Sequence, residues 1–292
     1  MSYRILYYDW DSYFKKTTHR GGVSVYCKNL IDYLAHKDGW KVEFLYSGTK
    51  YSYFRKNPYI RRVHNNCHPH VTTFSIVDSP IVAFSHFAFD DHIVNVKNLT
   101  LDCFQNLETQ APFDIIHFHN LEGLTANCLK IAKESGAIVF SLLYYGAVCP
   151  IVNLSKLENS HCSDYLDGRG CIACLPGNLD LDLELSLRKL NHLGSLVYLN
   201  EQALALKVLK RFYTIYHYKI WRRLKALTKS PLHKPLEICG SKLPQKAKLY
   251  RDRTEEIVSS IDHYVNVALS VSERSASIYR HYGIEPARLT TQ

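Results

Sequence analysis

The stretch FDIIHFH, residues 113–119, sets two imidazoles two residues apart in an apolar run. In a strand, alternation puts His117 and His119 on the same face. Two readings stay open. They are a pair of hydrogen-bonded core histidines, or ligand-binding groups at the carboxyl end of a strand, where open α/β sheets hold their ligands. A metal held by this pair needs a third ligand, which the sequence does not place. Gly21 and Gly22 form a second candidate, lying between the first apolar run and the first helical pattern. Glycines there make a tight turn, or let backbone N–H groups approach a phosphate at a helix N-terminus. The loop carries neither G-x-G-x-x-G nor a P-loop lysine, which argues against a dinucleotide or ATP phosphate cradle. The third candidate is Cys149, Cys162, Cys171 and Cys174, within 26 residues that also hold His161. Four soft ligands including one C-x-x-C can surround Zn²⁺ tetrahedrally, and Gly168 and Gly170 permit a tight loop. The spacing is not that of a standard zinc finger, and a loop of reduced or partly paired cysteines is the alternative.

These groups need a scaffold, and the hydrophobic periodicity supplies one. Residues 3–8, YRILYY, read as a strand, and a polar loop runs to Arg20. Val23, Tyr26, Cys27, Leu30, Ile31 and Leu34 then recur at offsets 0, 3, 4, 7, 8 and 11, the stripe of an amphipathic helix. KVEFLYSG follows as a strand, completing a right-handed βαβ unit. HVTTFSIV reads as a strand and VKNLTLDCFQNLETQAP as a helix. FDIIHFH is a strand, LTANCLKIAKESG a helix stopped at Gly136, and AIVFSLLYY a further strand. HYVNVALSVS and RSASIYRHYGI add a strand and a helix, and EPARLTTQ trails off as if before another strand. The alternation predicts an α/β, Rossmann-like, doubly wound parallel sheet.

The composition fits a globular body, with 46% hydrophobic and 12% aromatic residues in 292. Arg4 and Asp9 interrupt the first apolar stretch, which therefore lacks a signal-peptide h-region, and no run approaches the ~18 apolar residues of a spanning helix. The expected location is the cytoplasm, and the nine cysteines then read as reduced thiols. The net charge of +9 is concentrated. Between Gln202 and Leu236 stand Lys207, Lys210, Arg211, Lys219, Arg222, Arg223, Lys225, Lys229 and Lys234, with no acid among them. Leu206, Leu209, Tyr213, Tyr216, Ile220, Leu224 and Leu227 form a helical stripe, with most of the cations opposite. One reading is a cationic helix lying on an anionic membrane surface, with Trp221 near headgroup level. The other is a core-packed helix with a solvated basic face. No reader motif accompanies the charge, so nucleic acid is not an expected partner.

Three blocks, in order, carry a resemblance: GGVSVYCKNLIDYL, FDIIHFHNLEGLTANCLKIAKESGAIVFSLLYYGAVCP and ALSVSERSASIYRHYGIEPARL. Together they resemble the N-terminal domain of the family 4 glycosyltransferases, of GT-B architecture. The resemblance implies that residues 1–292 form such a domain, with a cysteine-rich loop at 150–175 and a helical, basic insertion at 180–262. It implies retaining transfer of a hexose from a nucleotide-sugar to a glycan or lipid-linked acceptor in polysaccharide or envelope synthesis, on the cytoplasmic face of the inner membrane. No cofactor is implied for catalysis, and any zinc would be structural. Gly21 and Gly22 would offer backbone donors to the donor diphosphate and Arg20 a positive charge. His117 would line the same cleft, His119 and Asn120 would hydrogen-bond sugar hydroxyls, and Glu122 would be a polar neighbour. The sequence departs from the family in two places. Leu143 and Tyr144 stand where the family usually carries a His-Asp or similar pair. The chain also stops at Gln292, where the linker to the nucleotide-sugar domain, with its paired glutamates, would begin. A separate C-terminal polypeptide is then an expected partner. A non-catalytic scaffold or degenerate domain is the rival reading, and a zinc-binding interaction module a third.

Overall fold

The computed structural model describes residues 2–14, 22–52, 57–64, 68–79, 81–83, 112–155, 162–175, 181–196, 204–217, 219, 245–285 and 288–291. Strand β1 (Tyr3–Asp9), helix α1 (Gly22–Ala35) and strand β2 (Trp40–Lys50) form the expected βαβ unit, with β1 and β2 parallel from Tyr3↔Trp40 to Asp9↔Tyr46. The α1 stripe explains its docking. Cys27 and Ile31 are buried, and Val23, Tyr26, Leu30 and Leu34 pack beside them on Ile5, Tyr7, Val42 and Phe44.

Strands β3 (Tyr59–Val63) and β4 (Val71–Val77) follow, then β5 (Ile115–Phe118), helix α2 (Asn127–Ser135) and β6 (Ala137–Leu142). Gly136 ends α2 as expected, because a side chain there would collide with the carbonyl oxygen of Phe113. The short helix α3 (Arg169–Cys174) and the longer α4 (Leu181–Leu196) and α5 (Leu204–Tyr216) come next. Helix α6 (Gln245–Tyr264) returns the chain to β7 (Val267–Ser270), and α7 (Glu273–His281) leads to β8 (Leu289–Thr291). Ser272 caps α7 by accepting from the Ser275 N–H.

The eight strands are ordered β3-β4-β2-β1-β5-β6-β7-β8. All pairings are parallel except β3 with β4. Alternation along β1 and β5 divides the core. The odd residues Ile5 and Tyr7 meet α1, whereas Leu6, Tyr8, Ile116 and Phe118 join Cys128, Leu129 and Ala132 of α2, Ile257, Val258 and Ile261 of α6 and Ala276 and Tyr279 of α7. Helices therefore cover both faces, as in Rossmann-like folds.

Some expectations need correction. β3 was not foreseen, and residues 289–291, expected only to precede a strand, are themselves strand β8, paired with β7. His263 and Tyr264 end α6 rather than begin β7. Of the range 180–262, α6 supplies residues to the main core. The helix expected at 96–112 lies outside the described residues but for Pro112. No helix among the described residues is long and apolar enough to cross a membrane.

Candidate functional site

The chain leaves β1 for β2 on one side and β5 for β6 on the other, so the carboxyl ends of the adjacent strands β1 and β5 border a topological switch point. Asp9 closes β1 and is 4% exposed. Asn120 donates to its Oδ1 at 2.5 Å, the Trp10 N–H donates to the same oxygen at 2.7 Å, and the Cys27 thiol reaches Oδ2 at 3.4 Å. Burial nonetheless outweighs these bonds and raises the carboxyl to about 6. The other end of the Asn120 amide accepts from the Glu122 N–H at 3.1 Å, and the Tyr8 hydroxyl donates to the Glu122 carbonyl at 2.5 Å. The turn is closed by Gly123 at φ +78°, where a Cβ would lie 2.8 Å from the Ser47 carbonyl oxygen. Asn120 thus ties the end of β1 to the turn after β5.

The two histidines differ. His117 Nε2 lies 2.7 Å from Ser141 Oγ, and burial depresses its pKa to about 3. His119 donates its backbone N–H to Tyr8 O, but neither ring nitrogen has a hydrogen-bond partner among the described residues, although the residue is only 1% exposed. Its ring stacks on Tyr7 at 5.7 Å, meets Tyr26 edge-on at 5.7 Å and lies 4.5 Å from His117. Burial, reinforced by His117, holds its pKa well below the ordinary range. Both imidazoles are neutral at pH 7. His117 satisfies the core-histidine reading, whereas His119 keeps hydrogen-bonding capacity that the described protein groups leave unused.

Beyond the turn the site gains groups that the motifs did not name. The Tyr144 hydroxyl is buried without a hydrogen-bond partner among the described residues, and burial first, then the Glu122 and Asp9 carboxylates, raise its pKa. Its carbonyl accepts from the Tyr279 hydroxyl at 2.6 Å. Arg253 of α6 donates to the carbonyls of Gly146 at 2.5 Å and Ala147 at 3.3 Å. Burial lowers the Arg253 pKa, and Glu122 is the strongest of the charges opposing that shift. Asp9, Asn120, Glu122, Tyr144 and Arg253 therefore form one polar cluster, linked by bonds and fields, with His119 beside it. Asp9 was placed in the loop after the first strand and not singled out, although a carboxylate directly following that apolar run was its available signal. Tyr144 was visible only as a departure from a pattern, and Arg253 arrives from a helix 131 positions after Glu122 in the chain.

Gly22 opens α1 and is exposed, and a Cβ there would meet no atom within 4 Å. Packing among the described residues does not require glycine at this place. Arg20 and Gly21 lie outside the described residues. Of the four clustered cysteines, Cys149 and Cys171 are buried, and Cys162 and Cys174 are half-buried. Cys149 joins the main core, whereas Cys171 packs with Leu175 and Tyr250. Burial, and then Cys149, Cys162 and Cys174, push the Cys171 thiol up to about 12. Among the described residues no three His, Cys, Asp or Glu side chains are grouped so as to hold a metal ion, and His161 lies outside those residues.

Comparison with models of known protein families finds no match to this chain, and comparison with curated proteins finds none either.

Proposed function

We propose that this chain is the acceptor-side half of a GT-B glycosyltransferase of the family 4 type, which passes a sugar from a nucleotide-sugar to a hydroxyl-bearing acceptor with retention. One observation carries the reading. At the switch point of the sheet, a buried carboxyl raised to about 6 stands in a polar cluster beside an imidazole whose nitrogens the other described residues leave unused. An acceptor is rich in hydroxyls, which both donate and accept. The neutral His119 ring has one donor and one acceptor to offer such a group. Asp9, titrating near neutrality, can hold or take a hydroxyl proton. Tyr144, kept protonated, donates a hydrogen bond without adding charge. The N-terminus of α1 at Gly22 fits the negative charge that builds on a departing diphosphate. The nucleotide-sugar itself would sit on a second Rossmann domain, in the same polypeptide or a separate one.

Calorimetric titration with UDP-, GDP- and ADP-sugars, alone and with a C-terminal domain supplied, tests this. The reading expects binding or turnover in the mixture and its loss in the Asp9→Asn and His119→Phe variants. Folded protein inert in both settings refutes it. A non-catalytic, degenerate domain is favoured by one observation, Leu143 and Tyr144 at the place of the family's polar pair, and it expects that inert result.

A further inference from the structure

Helix α5 exposes the side chains that an amphipathic helix normally hides. Leu204, Val208, Leu209, Phe212, Ile215 and Tyr216 are all exposed, Leu204 by 77% and Phe212 by 67%. At 3.6 residues per turn they fall within an arc of about 140°. Leu206 and His217 are buried on the other side. The sequence stripe is thereby split, because Leu206 turns inward while Leu209 and Tyr216 face out. Lys207 and Arg211, both exposed, stand along one rim of the apolar arc, and residues 202–236 contain nine cations and no acid. The residues of that range expected to continue the stripe, Ile220, Leu224 and Leu227, and Trp221 with them, lie outside the described residues.

We infer that the outer face of α5 docks the protein on an anionic phospholipid surface, with its apolar arc among the acyl chains and Lys207 and Arg211 at the headgroups. Several observations select this occupant. A contiguous apolar face on an exposed helix calls for a covering partner. A second copy of the chain would bring two cation-rimmed, acid-free helices together, and like charges at that contact oppose it. A lipid surface satisfies both features at once, since acyl chains take the apolar side chains and phosphates the cations. The inference does not depend on glycosyl transfer. It does fix an orientation. Arg188 of α4 donates to the carbonyls of Gly48 and Ala83, and a Cβ on Gly48 would lie 3.1 Å from the Gly123 Cα. The α4–α5 hairpin is thereby fastened to the carboxyl edge of the sheet, beside the turn that carries Asn120 and Glu122.

Co-sedimentation of the full chain with phosphatidylcholine vesicles, with and without phosphatidylglycerol, tests the inference. The chain should bind the anionic vesicles and lose most of that binding in molar salt. A Leu209→Glu, Phe212→Glu double variant should bind roughly a hundredfold more weakly. Lys207→Gln and Arg211→Gln should each cost about fivefold, on anionic vesicles only. All four positions are exposed or on the rim, so circular dichroism should show each variant folded. Folded protein that ignores anionic vesicles, or variants that bind them as well as the parent, would overturn the inference. So would a dimer that dissociates in the double variant, which would assign the face to a second copy.

Discussion

The carboxyl edge of the sheet and the outer face of α5 depart from ordinary burial in opposite ways. At the edge, Asp9, His119, Asn120 and Glu122 are removed from water. On α5, six large apolar side chains remain in it. Lost solvation has to be replaced by hydrogen bonds, and the edge replaces it for Asn120 but leaves both His119 ring nitrogens without partners among the described residues. Exposed apolar area has no such local remedy, because only another surface can cover it. Each region therefore requires its own kind of complement. The edge lacks a few polar atoms at defined positions, whereas α5 lacks an extended apolar and anionic surface.

Substitutions at the two regions should therefore differ in size and in readout. The largest effect is expected at Gly123. A side chain there meets the Ser47 carbonyl at a backbone angle that L-residues avoid, so Gly123→Ala should lower unfolding stability by about 3 kcal/mol in urea titrations. Next comes the pH dependence. The carboxyl of Asp9 is raised from 3.8 to about 6, so the folded state holds this proton longer than the unfolded state. The stability linked to Asp9 falls as pH rises from about 4 to 6 and is then constant, by at most about 3 kcal/mol. His117, lowered from 6.5 to about 3, acts the other way and adds stability as pH rises across that window. Asp9→Asn should remove only the first effect, so its stability should climb more steeply between pH 4 and 6, by up to ~1.4 kcal/mol per pH unit. An unchanged slope would mean that Asp9 ionises normally.

Asn120→Ala should cost about 2 kcal/mol, since it strips a partner from both the Asp9 carboxyl and the Glu122 N–H. His119→Phe should change stability by less than about 1 kcal/mol, because the ring stacking survives and no hydrogen bond to the described residues is lost. A large loss there would show that the imidazole has structural partners. The smallest effect belongs to α5, where Phe212→Ser should shift stability by less than about 0.5 kcal/mol. The same replacement should still weaken vesicle binding, so the two readouts separate at one residue.

Much of the scaffold was readable because it rests on period and punctuation. The α1 stripe, the alternation in β1 and the stop at Gly136 all state local rules that the packing then obeys. β3 escaped because a five-residue edge strand carrying Arg61 and Arg62 buries too little to leave an apolar run. The outward turn of α5 was unreadable for another reason, since periodicity identifies an apolar face without saying what it meets. In the site, the strand-borne His117 and His119 could be found by spacing. Tyr144 and Arg253 reach the cluster through tertiary approach of β6's end and α6, which no local pattern encodes.

The guanidinium of Arg188 grips a carbonyl from each of two separate segments, the end of strand β2 at Gly48 and the stretch beyond β4 at Ala83, and it is held in turn by Glu184 one helical turn away at 2.6 Å. A single side chain spanning two segments makes their local openings cooperative. Amides around Gly48 and Ala83 should exchange with deuterium at a shared rate governed by the detachment of α4, and Arg188→Ala should let each segment open independently.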